Sequence, residues 1–374
     1  MIRVVLATGL YPPDIGGPAT YAKMLHDDLS KHDIDLIVVP FSLVRSYPKL
    51  IRHFVYGWKL WTSTRQTSLI YALDPISVGL PAVLIAKIRR LKFILRVGGD
   101  YAWEQGCVRF GITQTLDSFI LKQTKHPLPV RLLSVLQSWV AQQAVVVVSP
   151  SNYLKRIITQ WGVDPESVRV IYSVLFPLIP TQTKNQTLQE LSVGSPVLLT
   201  SGRLVPWKGI DALIEVVQKL IDSYPNITLL VAGDGPEKVV LEAKVAKYNL
   251  QNHIKFLGRL NKTELANIKL AADVFILNTA YEGLSHELLE VMDLCVPIVT
   301  TNVGGNPELL SNGVDAALVP FDDTYALEES CIQIIENPDI RERFIRFAKK
   351  RTADFNRKQA VTATASLLKK VSSL

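Results

Sequence analysis

Long hydrophobic runs are missing from this 374-residue chain: the longest unbroken aliphatic stretch, Ala144–Val148, is far short of the ~20 residues that cross a bilayer. The segment from Met1 to Leu10 reads directly as a strand and lacks the ordered charged, apolar and cleavage regions of a secretory signal. A cytoplasmic location is therefore expected, with peripheral contact at the inner face of the plasma membrane left open. Cysteine is scarce. Cys107, Cys295 and Cys331 are odd in number and widely spaced, with no paired metal-ligand pattern, which argues for structural thiols in a reducing compartment.

Acid is short in the first half only. Residues 1–180 hold 20 Lys and Arg against 11 Asp and Glu, a net +9, whereas residues 181–374 hold 21 against 23, a net −2. A basic half suits nucleic acid, an anionic membrane surface or a phosphorylated substrate, or is simply solvated. No nucleic-acid-binding module is recognisable, and the aromatics recur at helical rather than stacking-platform spacing, so nucleic acid is not an expected partner.

What is present is an alternation of short β-branched runs with amphipathic stretches, the pattern of parallel sheets covered by helices on both faces. Strands are predicted at Val4–Ala7, Leu36–Val39, Leu69–Ala72, Phe93–Val97, Ala144–Val148 and Val168–Tyr172, and then at Val197–Thr200, Thr228–Ala232, Ile254–Leu257, Val274–Leu277 and Pro297–Thr300. Phe176–Gly194, rich in Pro, Thr, Gln and Ser, reads as a linker. The expected domains are residues 1–178 and 190–355, with a helix at 356–374 crossing back to the first.

In open α/β sheets ligands sit beyond the carboxyl ends of the strands, and the unusual residues of this chain fall there. After Val197–Thr200 comes Ser201-Gly202-Arg203-Leu204-Val205-Pro206-Trp207-Lys208-Gly209. Arg203 and Lys208 bring two cations to a helix entry and Gly202 allows close approach, which suits a diphosphate without a metal ion. After Val274–Leu277 comes Tyr281-Glu282-Gly283-Leu284-Ser285-His286-Glu287-Leu288-Leu289-Glu290, with Glu282 and Glu290 eight positions apart. A carboxylate accepts hydrogen bonds from two adjacent sugar hydroxyls, and an acid is also a favourable residue in a first helical turn. The third loop, Thr301-Asn302-Val303-Gly304-Gly305-Asn306-Pro307-Glu308, offers backbone amides to a phosphate or is ordinary helix entry.

These segments, with VAGDGPE and FLGRL between them, resemble in order the retaining glycosyltransferases of family 4, the group 1 class. The resemblance is strong from about Pro196 to Pro320 and traceable at YPPDIGGPATYA, FILRVGGD and VVVVSPSNYLK in the first half. It implies an α/β GT-B architecture: two Rossmann-like domains with parallel sheets facing a central cleft, the first binding acceptor and the second a nucleotide sugar. It also implies that Arg203 and Lys208 neutralise the leaving diphosphate, that Glu290 binds the ribose and that Glu282 faces the donor sugar. The backbone at Gly283, Leu284 and Ser285 would cradle sugar and phosphate, Arg259 would lie near the base, and Gly16 and Gly17 would approach the donor phosphates. The implied activity is retaining transfer of a hexosyl group from a nucleotide-diphosphate sugar to a saccharide or lipid-linked acceptor, in cell-envelope or exopolysaccharide synthesis, with no cofactor and no metal.

The chain departs from that pattern where many members place a histidine after the fourth strand. It reads Arg96-Val97-Gly98-Gly99-Asp100, and Asp100 is either that histidine's replacement toward a donor hydroxyl or a turn residue. His286 and His26 read as packing or surface residues. Within residues 45–61, a stripe of Lys49, Arg52, Tyr56 and Lys59 runs beside one of Ile51, Phe54, Val55, Trp58 and Trp61. Such a helix either covers its own sheet, the expectation adopted, or rests on anionic lipid. Two other functions stay open: a nucleotide-sugar epimerase on the same scaffold and a non-catalytic nucleotide-sugar binder.

Overall fold

A computed structural model describes residues 1–14, 16–48, 51–121 and 126–373 of the chain. It divides into two compact units, Met1–Val174 with Asn356–Leu374, and Leu175–Phe355.

Unit 1 holds one parallel sheet of β1 (Ile2–Thr8), β2 (Ile34–Pro40), β3 (Leu69–Ala72), β4 (Lys92–Arg96), β5 (Val146–Ser149) and β6 (Val168–Val170), in the order β2-β1-β3-β4-β5-β6. The central strand β3 is buried along its whole length, as expected where helices cover both faces of a sheet. The last helix, Arg357–Ser372, belongs to this unit and is tied to it by an Arg357–Asp28 ion pair at 2.5 Å.

Unit 2 holds a second parallel sheet of β7 (Val197–Ser201), β8 (Thr228–Ala232), β9 (Ile254–Gly258), β10 (Val274–Leu277), β11 (Ile298–Thr301) and β12 (Ala317–Val319), in the order β12-β11-β10-β7-β8-β9. Strands β7, β8, β10 and β11 are wholly buried, whereas the edge strands β9 and β12 are only partly so. Each fully buried aliphatic side chain in these strands contributes about 1.5–3 kcal/mol relative to exposure, so the central four fix the sheet. The strand order reverses between β7 and β10. That is a topological switch point, the place where open α/β sheets bind ligands beyond the strands' carboxyl ends.

All the predicted strands are present within a few residues of their expected bounds, but β12 is a strand the periodicity missed. Its three residues, Ala-Leu-Val, are too short to show alternation. The expected linker is also corrected. Thr183 and Gln186 cap a helix at Lys184–Leu191: the Thr183 N–H donates to Gln186 Oε1 (2.9 Å) and the Gln186 N–H to Thr183 Oγ1 (3.3 Å). Just before it, the Thr181 and Gln182 N–H groups both donate to Asn267 Oδ1, at 2.8 and 3.2 Å. The Leu175 N–H donates to the Phe355 carbonyl (2.9 Å), so unit 2 begins at Leu175 rather than 190, and unit 1 ends at Val174 rather than 178.

Candidate active site

Four loops of unit 2 stand side by side because the strands that precede them do. In sheet order they follow β11, β10, β7 and β8. The loop after β7 is bound to the loop after β10: Asn278 Nδ2 donates to the Gly209 carbonyl (2.8 Å), and Thr279 Oγ1 and the Ala280 N–H donate to the Trp207 carbonyl (3.1 and 2.8 Å). These bonds set Lys208 against Glu282, and the two form an ion pair, each side chain 15% exposed. Arg203, at the start of the same loop, is exposed and its side chain makes no hydrogen bond or ion pair among the described residues.

The glycines seat these loops on one another. Gly233 has φ +143°, and a Cβ there would lie 1.8 Å from the Gly202 carbonyl oxygen. A Cβ on Gly305 would lie 2.4 Å from the Gly283 oxygen, and the Gly305 N–H donates to the Glu282 carbonyl (2.9 Å). The glycine pair at 304–305 therefore holds the acid-bearing loop, and the Gly305 amide is committed to protein rather than to a phosphate.

Helix His286–Asp293 begins at the Ser285 cap, whose side chain accepts from the Leu288 N–H (3.3 Å). Its first turns carry Glu287 and Glu290 toward Lys269, a lysine on helix Lys262–Ala271 whose side chain is 0% exposed. Lys269 Nζ donates to Glu287 at 2.7 Å and also to Glu290, while Ser201, the last residue of β7, donates to Glu287. One buried ammonium thus serves two carboxylates. Burial opposes ionisation of Glu287, but the charge and hydrogen bond of Lys269, with the Ser201 hydroxyl, outweigh it and hold Glu287 down at about 2. Burial, reinforced by the charge of Glu287 and only partly offset by Lys269, pushes Glu290 up to about 7. Burial would lower Lys269, yet the two carboxylates keep it above its ordinary value.

Residues 182–351 match the family described as glycosyl transferases group 1. That match covers most of unit 2. Over 350 residues the chain is 24% identical to a phosphatidylinositol N-acetylglucosaminyltransferase component of Arabidopsis thaliana, covering 90% of this chain and 76% of that one. It is 31% identical over 175 residues to a glycogen synthase of Mycobacterium tuberculosis, covering 46% of this chain and 42% of the relative. The chain thus spans three quarters of the first relative's length and less than half of the second's. Among solved structures, Anabaena HepE in complex with UDP-glucose aligns with TM-score 0.78 and 19% identity, over 99% of this chain and 100% of that one. WaaG, a glycosyltransferase involved in lipopolysaccharide biosynthesis, aligns with TM-score 0.69 and 16% identity, over 97% and 99% of the two chains. The two-sheet α/β architecture of this protein is the GT-B fold of these neighbours, and the protein is an enzyme of the glycosyltransferase class.

Within unit 2 the structure brings Lys208 to Glu282, and Glu290 to the cluster of Lys269, Glu287 and Ser201. Gly202 lies beside Lys208, with a Cβ there reaching 4.0 Å from Lys208 Nζ. Gly283, Leu284 and Ser285 are all buried, the last two at 6% and 2% exposure. Arg259 follows β9 directly, its exposed side chain ion-paired with Asp234 at 3.2 Å. The ring of His286 rests near that of Phe176, with centroids 6.1 Å apart. In unit 1, Gly16 (φ +140°) caps the helix that Gly17 opens, while His26 is a surface residue.

The Asp100 side chain caps helix Tyr101–Phe110 by accepting from the Trp103 N–H (2.9 Å), and the residue is 1% exposed, with burial raising its carboxyl. It is a helix cap closed to solvent, which is the turn-residue reading of the two that the sequence left open. The expectation for residues 45–61 holds in that the helix packs on its own sheet, where Tyr56 donates to the Val39 carbonyl at 2.7 Å, but the residues that do so are not the predicted apolar stripe. On helix Ile51–Ser63 the residues that cover the sheet are Tyr56 and Leu60, while Ile51, Phe54 and Trp58 are 51%, 81% and 67% exposed. Lys49 lies outside the described residues.

Sequence reasoning missed Lys269, Glu287 and Ser201. The available signal was a lysine at a core position of a helix whose buried residues include Ala266 and Ala271, together with two glutamates three apart on another helix.

Proposed function

We propose that the protein is a retaining hexosyltransferase that takes its sugar from a nucleotide-diphosphate donor bound at the carboxyl ends of β7 and β10. The observation that carries this reading is the position of Lys208 at the switch point, bonded to Glu282, with the exposed Arg203 at the start of the same loop. Two cations close to where a leaving diphosphate gains charge, Lys208 held by Glu282 and Arg203 free to meet the ligand, would stabilise the transition state more than the ground state and would do so without a resident metal. Glu282, once released from Lys208 by the diphosphate, accepts hydrogen bonds from donor-sugar hydroxyls. Glu290 does the same for the ribose. The proposed acceptor is a saccharide or lipid-linked saccharide of cell-envelope or exopolysaccharide synthesis.

Lys208→Ala decides the matter. Turnover is expected to fall at least ~100-fold with donor affinity changed less than ~10-fold. Full turnover in this variant would sink the clamp. Incubating the wild type with donor and no acceptor separates the alternatives: an accumulating epimer marks an isomerase, and no turnover with any saccharide or lipid acceptor marks a binder.

A specific observation favours peripheral contact with anionic membrane. Helix Gly79–Arg89 packs on helices Ile51–Ser63 and Leu128–Gln142, and besides Phe54 and Trp58 these helices expose Ile88 (67%), Leu128 (65%) and Val135 (64%). The three helices carry Arg52, Lys59, Lys87, Arg89 and Arg131 and no Asp or Glu. Exposed apolar side chains on helices whose charged residues are all cations match the interface of an anionic bilayer. Among the described residues no helix is long and apolar enough to cross a membrane.

A further inference from the structure

The buried cluster behind the acid loop has a charge imbalance that the donor-binding reading leaves unused. Lys269 contributes one positive charge, and Glu287 and Glu290 contribute two negative ones when both are ionised. All of the Lys269 side chain and most of both carboxylates are withdrawn from water, at 0%, 27% and 18% exposure. A buried charge left uncompensated is costly, so the excess must be met by a proton or by a ligand. The groups facing the pair are Ser201 from β7, Lys208 from the following loop, and Lys262 and Lys269 from helix Lys262–Ala271. Glu287 is the better compensated carboxylate, because it accepts hydrogen bonds from both Lys269 and Ser201, whereas among the described residues Glu290 accepts from Lys269 alone and feels Lys262 only through its charge. The excess proton therefore belongs on Glu290.

We propose that Lys269 is a positioning residue for the nucleotide donor: its ammonium, shared with Glu287, fixes Glu290 in place and determines when that acid is ionised to accept the ribose hydroxyls. The inference rests on the reading that Glu290 receives the ribose. An ionised carboxylate accepts from the two ribose hydroxyls through charge-assisted bonds, and protonation turns one of its oxygens into a donor, so donor affinity is higher above the Glu290 titration and falls below it. Glu287 and Lys269 push that titration in opposite directions. Glu287→Gln keeps an acceptor for Ser201 and Lys269 while removing the competing negative charge, and Lys269→Met removes the compensating one.

The test is isothermal titration of the full chain with UDP and with GDP between pH 5.5 and 8.5. In the wild type the affinity of the nucleotide that binds falls by up to about tenfold per unit on the acid side. Lys269→Met is expected to move that limb upward by a unit or more, Glu287→Gln to move it downward, and Lys269→Arg to restore the wild-type profile. Limbs that stay in place, or that move the same way in Lys269→Met and Glu287→Gln, would overturn the proposal by giving the cluster a merely structural part. If Lys269→Met does not fold, the downward shift in Glu287→Gln carries the test alone. Glu290→Ala keeps the two claims apart. Unchanged nucleotide affinity in that variant removes the ribose reading and this inference with it, whereas lost affinity without the opposed shifts removes the inference only.

Discussion

Replacing Glu290 with glutamine probes the electrostatics of the site through stability rather than activity. Glu290 moves from an ordinary 4.5 to about 7 on folding, because burial and the charge of Glu287 together exceed what Lys269 returns. Its folded value lies above the unfolded one. As pH rises from about 4.5 toward 7, the unfolded chain has already released a proton that the folded chain still holds, and stability falls until the folded group is ionised. With the side chain only 18% exposed, a displacement of this size corresponds to about 3 kcal/mol lost in full above pH 7. Glutamine has no proton to release and keeps an oxygen for Lys269. Glu290→Gln is therefore expected to stabilise unit 2 by about 3 kcal/mol at pH 8, or roughly 6–12 °C in its melting temperature, with little difference near pH 4.5. Calorimetry of the full chain at the two pH values measures this. A variant that melts at or below the wild type at pH 8, or a difference independent of pH, would refute the imbalance of charge. Tighter folding gained with a loss of nucleotide affinity would be the mark of an acid kept for function.

Two further outcomes follow from packing and surface. Gly233→Ala puts a Cβ against the Gly202 oxygen at 1.8 Å and is strained at φ +143°, so unit 2 is expected to lose about 3 kcal/mol or more in urea unfolding, with turnover falling because Arg203 follows Gly202 directly; wild-type stability would show that the two loops are not held together. Phe54→Asp combined with Trp58→Asp is expected to cut sedimentation with phosphatidylglycerol vesicles by about tenfold or more without changing the melting temperature, both side chains being mostly exposed. Undiminished vesicle binding in that double variant would remove the membrane reading.

Much of this protein was legible without coordinates, because two-sided burial of parallel strands writes itself as short β-branched runs, and ligand loops follow those runs. The strands β7, β8 and β10 stand where the pattern put them, and so do the loops bearing Arg203, Lys208, Glu282 and Glu290. Local capping was harder to read. Thr183 and Gln186 turned an apparent linker into a helix, and Asp100, which resembled a functional residue in its loop, commits its side chain to the Trp103 amide. The sequence alone determined the alternation, the two sheets and the loops that bear the acids and cations, since each depends on neighbours a few residues away. Only the tertiary structure decided that Lys208 meets Glu282 across 74 positions, that Lys269 is shared by Glu287 and Glu290, and that Phe54 and Trp58 face solvent. Those outcomes depend on which strands are neighbours and which helix face the sheet takes, and an ion pair between distant residues leaves no periodicity in the chain.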